Sequence, residues 1–127
     1  MRNQTILIAD DIPQIRKVIV NLIHDLGFTT IEAVNGEEIL KALEINAVNL
    51  ILTDIEMPEM NGIESATIIR NEFSWPKCQV PIIAITSFSC PSIYQQCINA
   101  GINKVLTKPI QPNEIIEIVL MYCNSSF

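Results

Sequence analysis

Leu50-Ile51-Leu52-Thr53-Asp54-Ile55-Glu56-Met57-Pro58-Glu59-Met60-Asn61-Gly62 passes from an apolar strand straight into a turn-rich loop, with the Asp54 carboxylate at the junction. Open α/β sheets keep their chemistry at the carboxyl ends of their strands. Two other stretches repeat the arrangement: Asp10 and Asp11 follow Thr5-Ile6-Leu7-Ile8-Ala9, and Lys108-Pro109 follows Val105-Leu106-Thr107. Four strong charges thus stand at the ends of three apolar runs.

Working outward, short β-branched runs alternate with helical periodicity, and the strands are expected near 5–9, 28–33, 49–53, 80–85 and 103–106. Strict alternation of strand and helix predicts a parallel sheet covered on both faces. The first helix, about 13–26, carries Ile15, Val18, Ile19, Leu22 and Leu26 on one face, starts with Pro13 and stops at Gly27. Asn35 with Glu38, and Asn61 with Glu64, have the spacing of capping boxes that open the second and third helices. The fourth helix follows Pro91 and ends at Ala100-Gly101, and the fifth follows Pro112 and runs to about Cys123. Right-handed connections leave few topologies, and the expected fold is α/β, a flavodoxin-like (βα)5 sandwich with strand order 2-1-3-4-5.

In that order strands one and three are neighbours, so Asp10 and Asp11 face Asp54. Three carboxylates at such range repel one another unless a cation lies among them. Oxygen donors without a nearby His or Cys select a hard ion, and Mg²⁺ is the expected one, because it accepts one or two carboxylates, waters and a phosphate oxygen. Asp11 and Asp54 are expected as direct ligands, the Glu56 backbone carbonyl as a third, and Asp10 through water. Thr86 ends strand four and Lys108 ends strand five, so a hydroxyl and an ammonium converge opposite the metal, placed to hold a phosphoryl group on Asp54. A cis Lys108–Pro109 bond is expected to aim the lysine inward.

The 127 residues are enough for one domain, 1–127, with one substantial core. A net charge of −6 argues against direct nucleic-acid binding, which needs Lys and Arg to neutralise phosphates. The apolar runs stay short of the roughly 18 residues of a membrane span, no signal peptide is visible, and no membrane contact is expected. Cys78, Cys90, Cys97 and Cys123 lack zinc-site spacing and read as reduced thiols, which points to the cytoplasm.

With these residues in order, the chain resembles the receiver domain of two-component response regulators from about Thr5 to Tyr122. The resemblance rests on Asp10-Asp11, Asp54 with Met57-Pro58 and Met60-Asn61-Gly62, Thr86-Ser87, Ala100-Gly101 and Lys108-Pro109. It implies a regulatory phosphoacceptor, with only weak self-phosphotransfer and autodephosphorylation, whose Asp54 takes a phosphoryl group from a histidine kinase or histidine phosphotransfer protein with Mg²⁺ present. It also implies that Glu56 and Phe88 tune the lifetime of the aspartyl phosphate. Val105 stands where many receivers carry an aromatic, and Ser87 where a small apolar residue is usual. The output is expected to be protein contact without a fused effector, from either a free-standing receiver or a segment of a hybrid kinase.

The last helix has two adjacent apolar stripes: Ile116, Val119, Leu120 and Cys123 are expected to face the core, and Ile115, Ile118 and Tyr122 a partner. That face makes a homodimer through the fourth helix, fifth strand and fifth helix one expectation. His24, roughly opposite the core stripe of its helix, reads as a surface residue, and Trp75 as the cover of a sheet edge. Two enzyme or cofactor readings compete. An aspartyl-nucleophile phosphatase of the haloacid-dehalogenase type needs an Asp where Glu56 stands, and a nucleotide or flavin module needs a glycine-rich phosphate loop that is missing here. A receiver-like scaffold that never meets phosphate is the third rival.

Overall fold

The computed structural model describes residues 4–87 and 90–123. Five parallel strands, β1 (Thr5–Ala9), β2 (Thr29–Ala33), β3 (Leu50–Asp54), β4 (Ile82–Thr86) and β5 (Lys104–Thr107), lie in the order β2-β1-β3-β4-β5. Helices α1 (Pro13–Asp25), α2 (Gly36–Ile45), α3 (Gly62–Glu72), α4 (Pro91–Asn99) and α5 (Pro112–Cys123) connect and follow them. A 3-10 turn, Lys77–Gln79, leads into β4. This is the flavodoxin-like (βα)5 arrangement that the alternating pattern predicts.

Side chains of a strand alternate between faces, and two apolar cores follow from that. Ile6 and Ile8, Leu50 and Leu52, Ile83 and Ile85 meet α1 and α5 on one face. Leu7 and Ala9, Ile51, Ile82 and Ala84 meet α2, α3 and α4 on the other. The three inner strands are buried almost throughout, which is why they read as unbroken apolar runs.

The helix ends are set locally. The Asn61 side chain accepts from Glu64 N–H at 2.8 Å and Glu64 accepts from Asn61 N–H at 3.0 Å, a complete capping box at the mouth of α3. At α2 only half of the box forms: Asn35 accepts from Glu38 N–H, but Glu38 reaches past it to Val34 N–H. Gly27 ends the α1 turn at φ 92°, where a side chain is strained. The Lys77 ammonium donates to the carbonyls of Leu43 and Glu44, closing the far end of α2.

Two helices are rotated from the expected faces. In α1 the buried residues are Ile19, Val20 and Ile23, with Ile15, Leu22 and Leu26 at their flanks, whereas Val18 is 58% exposed. In α5 the core takes Ile115, Ile118, Val119 and Cys123, with Tyr122 partly buried against them. The partner face expected at Ile115, Ile118 and Tyr122 is therefore core; Ile116 and Leu120 are half-buried, and Met121 faces outward. Two apolar stripes on one helix announce themselves in sequence, but the rotation that chooses between them is set by how the helix docks. Trp75 likewise covers no sheet edge, being 78% exposed in the loop after α3. No helix among the described residues is long and apolar enough to cross a membrane.

Candidate acidic phosphoryl site

The strand register brings the carboxyl ends of β1 and β3 side by side: Ala9 pairs with Thr53, so the residues that follow each meet at one edge. Asp54 is the last residue of β3, and Asp10 follows β1 with its N–H donated to Ala33 O at 3.1 Å. Carboxylate oxygens of Asp10, Asp11 and Asp54 all lie within 4.8 Å of one another. Asp10 and Asp54 are buried and Asp11 is exposed, so the cluster opens to solvent through Asp11.

Lys108 enters from the other side, along a Lys108–Pro109 peptide that is cis. Its Nζ lies 3.4 Å from Asp10 Oδ2 and 3.4 Å from Asp54 Oδ2. Its own N–H donates to Thr86 O at 2.8 Å, tying the lysine to the end of β4. Asp54 pairs in register with Ile85, which places Thr86, 2% exposed, one step further along the neighbouring strand.

Burial pushes the Asp54 carboxyl above the usual carboxylate range. The Lys108 ammonium opposes that rise and the Asp10 charge adds to it. One ammonium shared between two buried carboxylates leaves the cluster with excess negative charge. Clustered carboxylate oxygens, a solvent opening and, among the described residues, no His or Cys in the cluster fit a hard divalent cation of the Mg²⁺ or Ca²⁺ type.

The loop after Asp54 is clamped from both sides. Gly62 N–H donates to Ile55 O at 2.9 Å, and Gly36 N–H donates to Met60 O at 2.7 Å. Glu59, at φ 69°, accepts from the Asn35 amide at 2.9 Å. Glu56 is exposed on this loop; Phe88 lies outside the described residues. His24 is exposed with its ring Nε2 2.7 Å from Thr30 Oγ1, away from the acidic cluster.

Two groups near the site escape a reading of the sequence: Arg16, which reaches back to Asp10 O at 2.7 Å, and Glu32, which holds Arg16 at 2.8 Å. The available signal is a charged residue inside an otherwise uncharged strand, Thr-Thr-Ile-Glu-Ala at β2. Arg16 and Lys17 in turn hold the Glu32 carboxyl below its ordinary range.

The model of the family described as the response regulator receiver domain matches residues 6–120. Chemotaxis protein CheY1 of Helicobacter pylori is 32% identical over 120 residues, covering 91% of this chain and 95% of that protein. The autoinducer sensor kinase/phosphatase CqsS of Vibrio cholerae is 35% identical over 104 residues, 82% of this chain but only 15% of the kinase. Among solved structures, the receiver domain of a sensor histidine kinase from Pseudomonas aeruginosa, with a magnesium ion in its active-site cleft, has a TM-score of 0.85 at 27% identity. That match covers 97% of this chain and 99% of the other.

Proposed function

Since the chain belongs to the response regulator receiver domain family, the receiver module of two-component phosphorelay signalling, we propose that Asp54 accepts a phosphoryl group from a phosphohistidine, with Mg²⁺ in the acidic cluster. The observation that carries this reading is the placing of one partly buried ammonium, Lys108, at equal 3.4 Å range from Asp10 and Asp54. Such a group neutralises the carboxylates before transfer and is within reach of a phosphoryl oxygen afterwards.

In the transfer, an Asp54 carboxylate oxygen attacks phosphorus in line with the donor. The new P–O bond forms as the P–N bond of the phosphohistidine breaks, and its electron pair returns to the imidazole. Asp54 must be ionised to attack; burial disfavours that form, and the Lys108 ammonium opposes the effect of burial. Asp10, Asp11, Asp54 and the Glu56 carbonyl are assigned to Mg²⁺, which when bound neutralises phosphoryl oxygens. The Thr86 hydroxyl and the Lys108 ammonium hold the transferred group. Protein catalysis of this kind is positioning and charge neutralisation.

The partner supplying the group is a histidine kinase or a histidine phosphotransfer protein; the output is a changed protein contact. The test is intact mass after exposure to acetyl phosphate with and without Mg²⁺. A Mg²⁺-dependent gain of one phosphoryl group per chain is expected, and its absence with both acetyl phosphate and a phosphohistidine donor refutes the reading. Glu56 and Phe88 are proposed to set how long the phosphoryl group stays. Replacing both is expected to change the first-order decay rate severalfold, and an equal rate contradicts their role.

A further inference from the structure

Resting on the Mg²⁺ reading above, we infer that Arg16 and Glu32 are positioning residues for the metal site, acting through the Asp10 main chain rather than by direct contact with a metal-ligand carboxylate. Four bonds fix Asp10. Its N–H goes to Ala33 O, its Oδ1 accepts from Ile12 N–H at 2.9 Å, its Oδ2 faces Lys108, and its carbonyl oxygen accepts from Arg16 Nη1 at 2.7 Å. The carbonyl belongs to the peptide that joins Asp10 to Asp11. Its direction therefore decides where the exposed Asp11 carboxylate points, and Asp11 has no strand to hold it.

Arg16 is suited to hold that peptide because its own position is fixed twice. One arm of the guanidinium is on Asp10 O, and Nε is on Glu32 Oε1 at 2.8 Å. The side chain is only 13% exposed, and Glu32 is braced further by Lys17 at 3.0 Å. A planar fork can make both contacts at once; a lysine ammonium on a flexible stem is a point donor without that geometry. Partners that orient metal ligands from behind typically alter metal affinity by about 10- to 100-fold when removed.

The sign of the effect separates positioning from plain electrostatics. Arg16 is a cation near a cation site, so its charge alone repels Mg²⁺, and removing the charge alone tightens binding. If it orients the Asp10–Asp11 peptide, removing it weakens binding.

Calorimetric titration with Mg²⁺ tests this on wild type, Arg16→Gln, Arg16→Lys, Glu32→Gln and, as a destabilised control on the same helix, Ile23→Val. The expected result is an affinity loss of about 10-fold or more in Arg16→Gln and a smaller loss in Glu32→Gln. Arg16→Lys regains little, and Ile23→Val keeps wild-type affinity despite lower stability. Unchanged or tighter binding in Arg16→Gln overturns the inference, as does full affinity in Arg16→Lys or an equal loss in Ile23→Val. If Arg16→Gln does not fold, Glu32→Gln decides: it removes one anchor of the fork without touching Asp10, and wild-type affinity there overturns the inference. Absence of Mg²⁺ binding by the wild type refutes the metal reading itself, and the inference falls with it.

Discussion

Asp54→Asn is expected to abolish phosphoryl incorporation, down to the background of an intact-mass assay, while making the metal-free protein more stable. The first effect follows because the amide has no carboxylate oxygen to attack phosphorus. The second follows from the site's charge. Burial raises the Asp54 pKa from 3.8, with Asp10 adding to the rise and Lys108 opposing it. A raised folded-state pKa means that stability is fully present below about pH 4, where both states are protonated, and is lost as pH rises through the folded value. At neutral pH the raised Asp54 pKa is therefore a cost to the folded state, and asparagine removes it.

Urea unfolding of the two proteins at pH 7 without metal is the measurement, and a less stable Asp54→Asn contradicts the charge argument. Adding Mg²⁺ should reverse the ranking. At a hundredfold excess over its dissociation constant a ligand stabilises by about 2.7 kcal/mol, or about 10 °C in a domain of this size, and the variant should show much less of this.

Gly62→Ala should be the most damaging single-methyl change in the molecule. Gly62 opens α3, and an added Cβ would lie 2.5 Å from Asp54 O, 3.3 Å from Ile55 Cα and 3.3 Å from Thr53 Cγ2. The first of these is a main-chain oxygen of a buried central strand. It cannot retreat without shifting β3 between β1 and β4, so the start of α3 must lift instead, loosening the Gly62 N–H bond to Ile55 O. Helix propensity alone has the opposite sign, favouring alanine by about 1 kcal/mol. Overpacking should override it, giving a net loss of about 2–3 kcal/mol in urea unfolding, and slower phosphorylation because Asp54 sits at the displaced junction. A neutral or stabilising result would mean that the loop relaxes far more easily than its hydrogen bonds suggest.

What could be read from the chain was whatever is written in neighbouring residues. The β1, β3 and β4 runs are apolar because both faces are covered, and charged residues directly after such runs locate the edge of the sheet where chemistry gathers. Asn61 and Glu64 are three apart, so their capping box is visible before any fold is known. Helix rotation is a different kind of information. Val18 was expected inside and is exposed, and Ile115 was expected outward and is fully buried, because adjacent stripes differ by one residue and only the opposing strands choose between them. Arg16 with Glu32, 16 residues apart, and Lys77 with the end of α2, more than 30 residues away, are products of the assembled fold. Neither has a spacing rule to betray it.

Trp75 carries a practical consequence for anyone who wants to watch this protein work. It is the chain's one indole, and it sits in the loop leading toward β4, at the pole of the sheet opposite Asp54. A five-residue strand spans about 17 Å, so ion entry or phosphorylation of the carboxylate occurs well out of its sight. Already bathed in water, it also has little colour to change when the chain melts. Ultraviolet emission is consequently a poor gauge of loading or unfolding, and a good one of whatever docks on that remote pole.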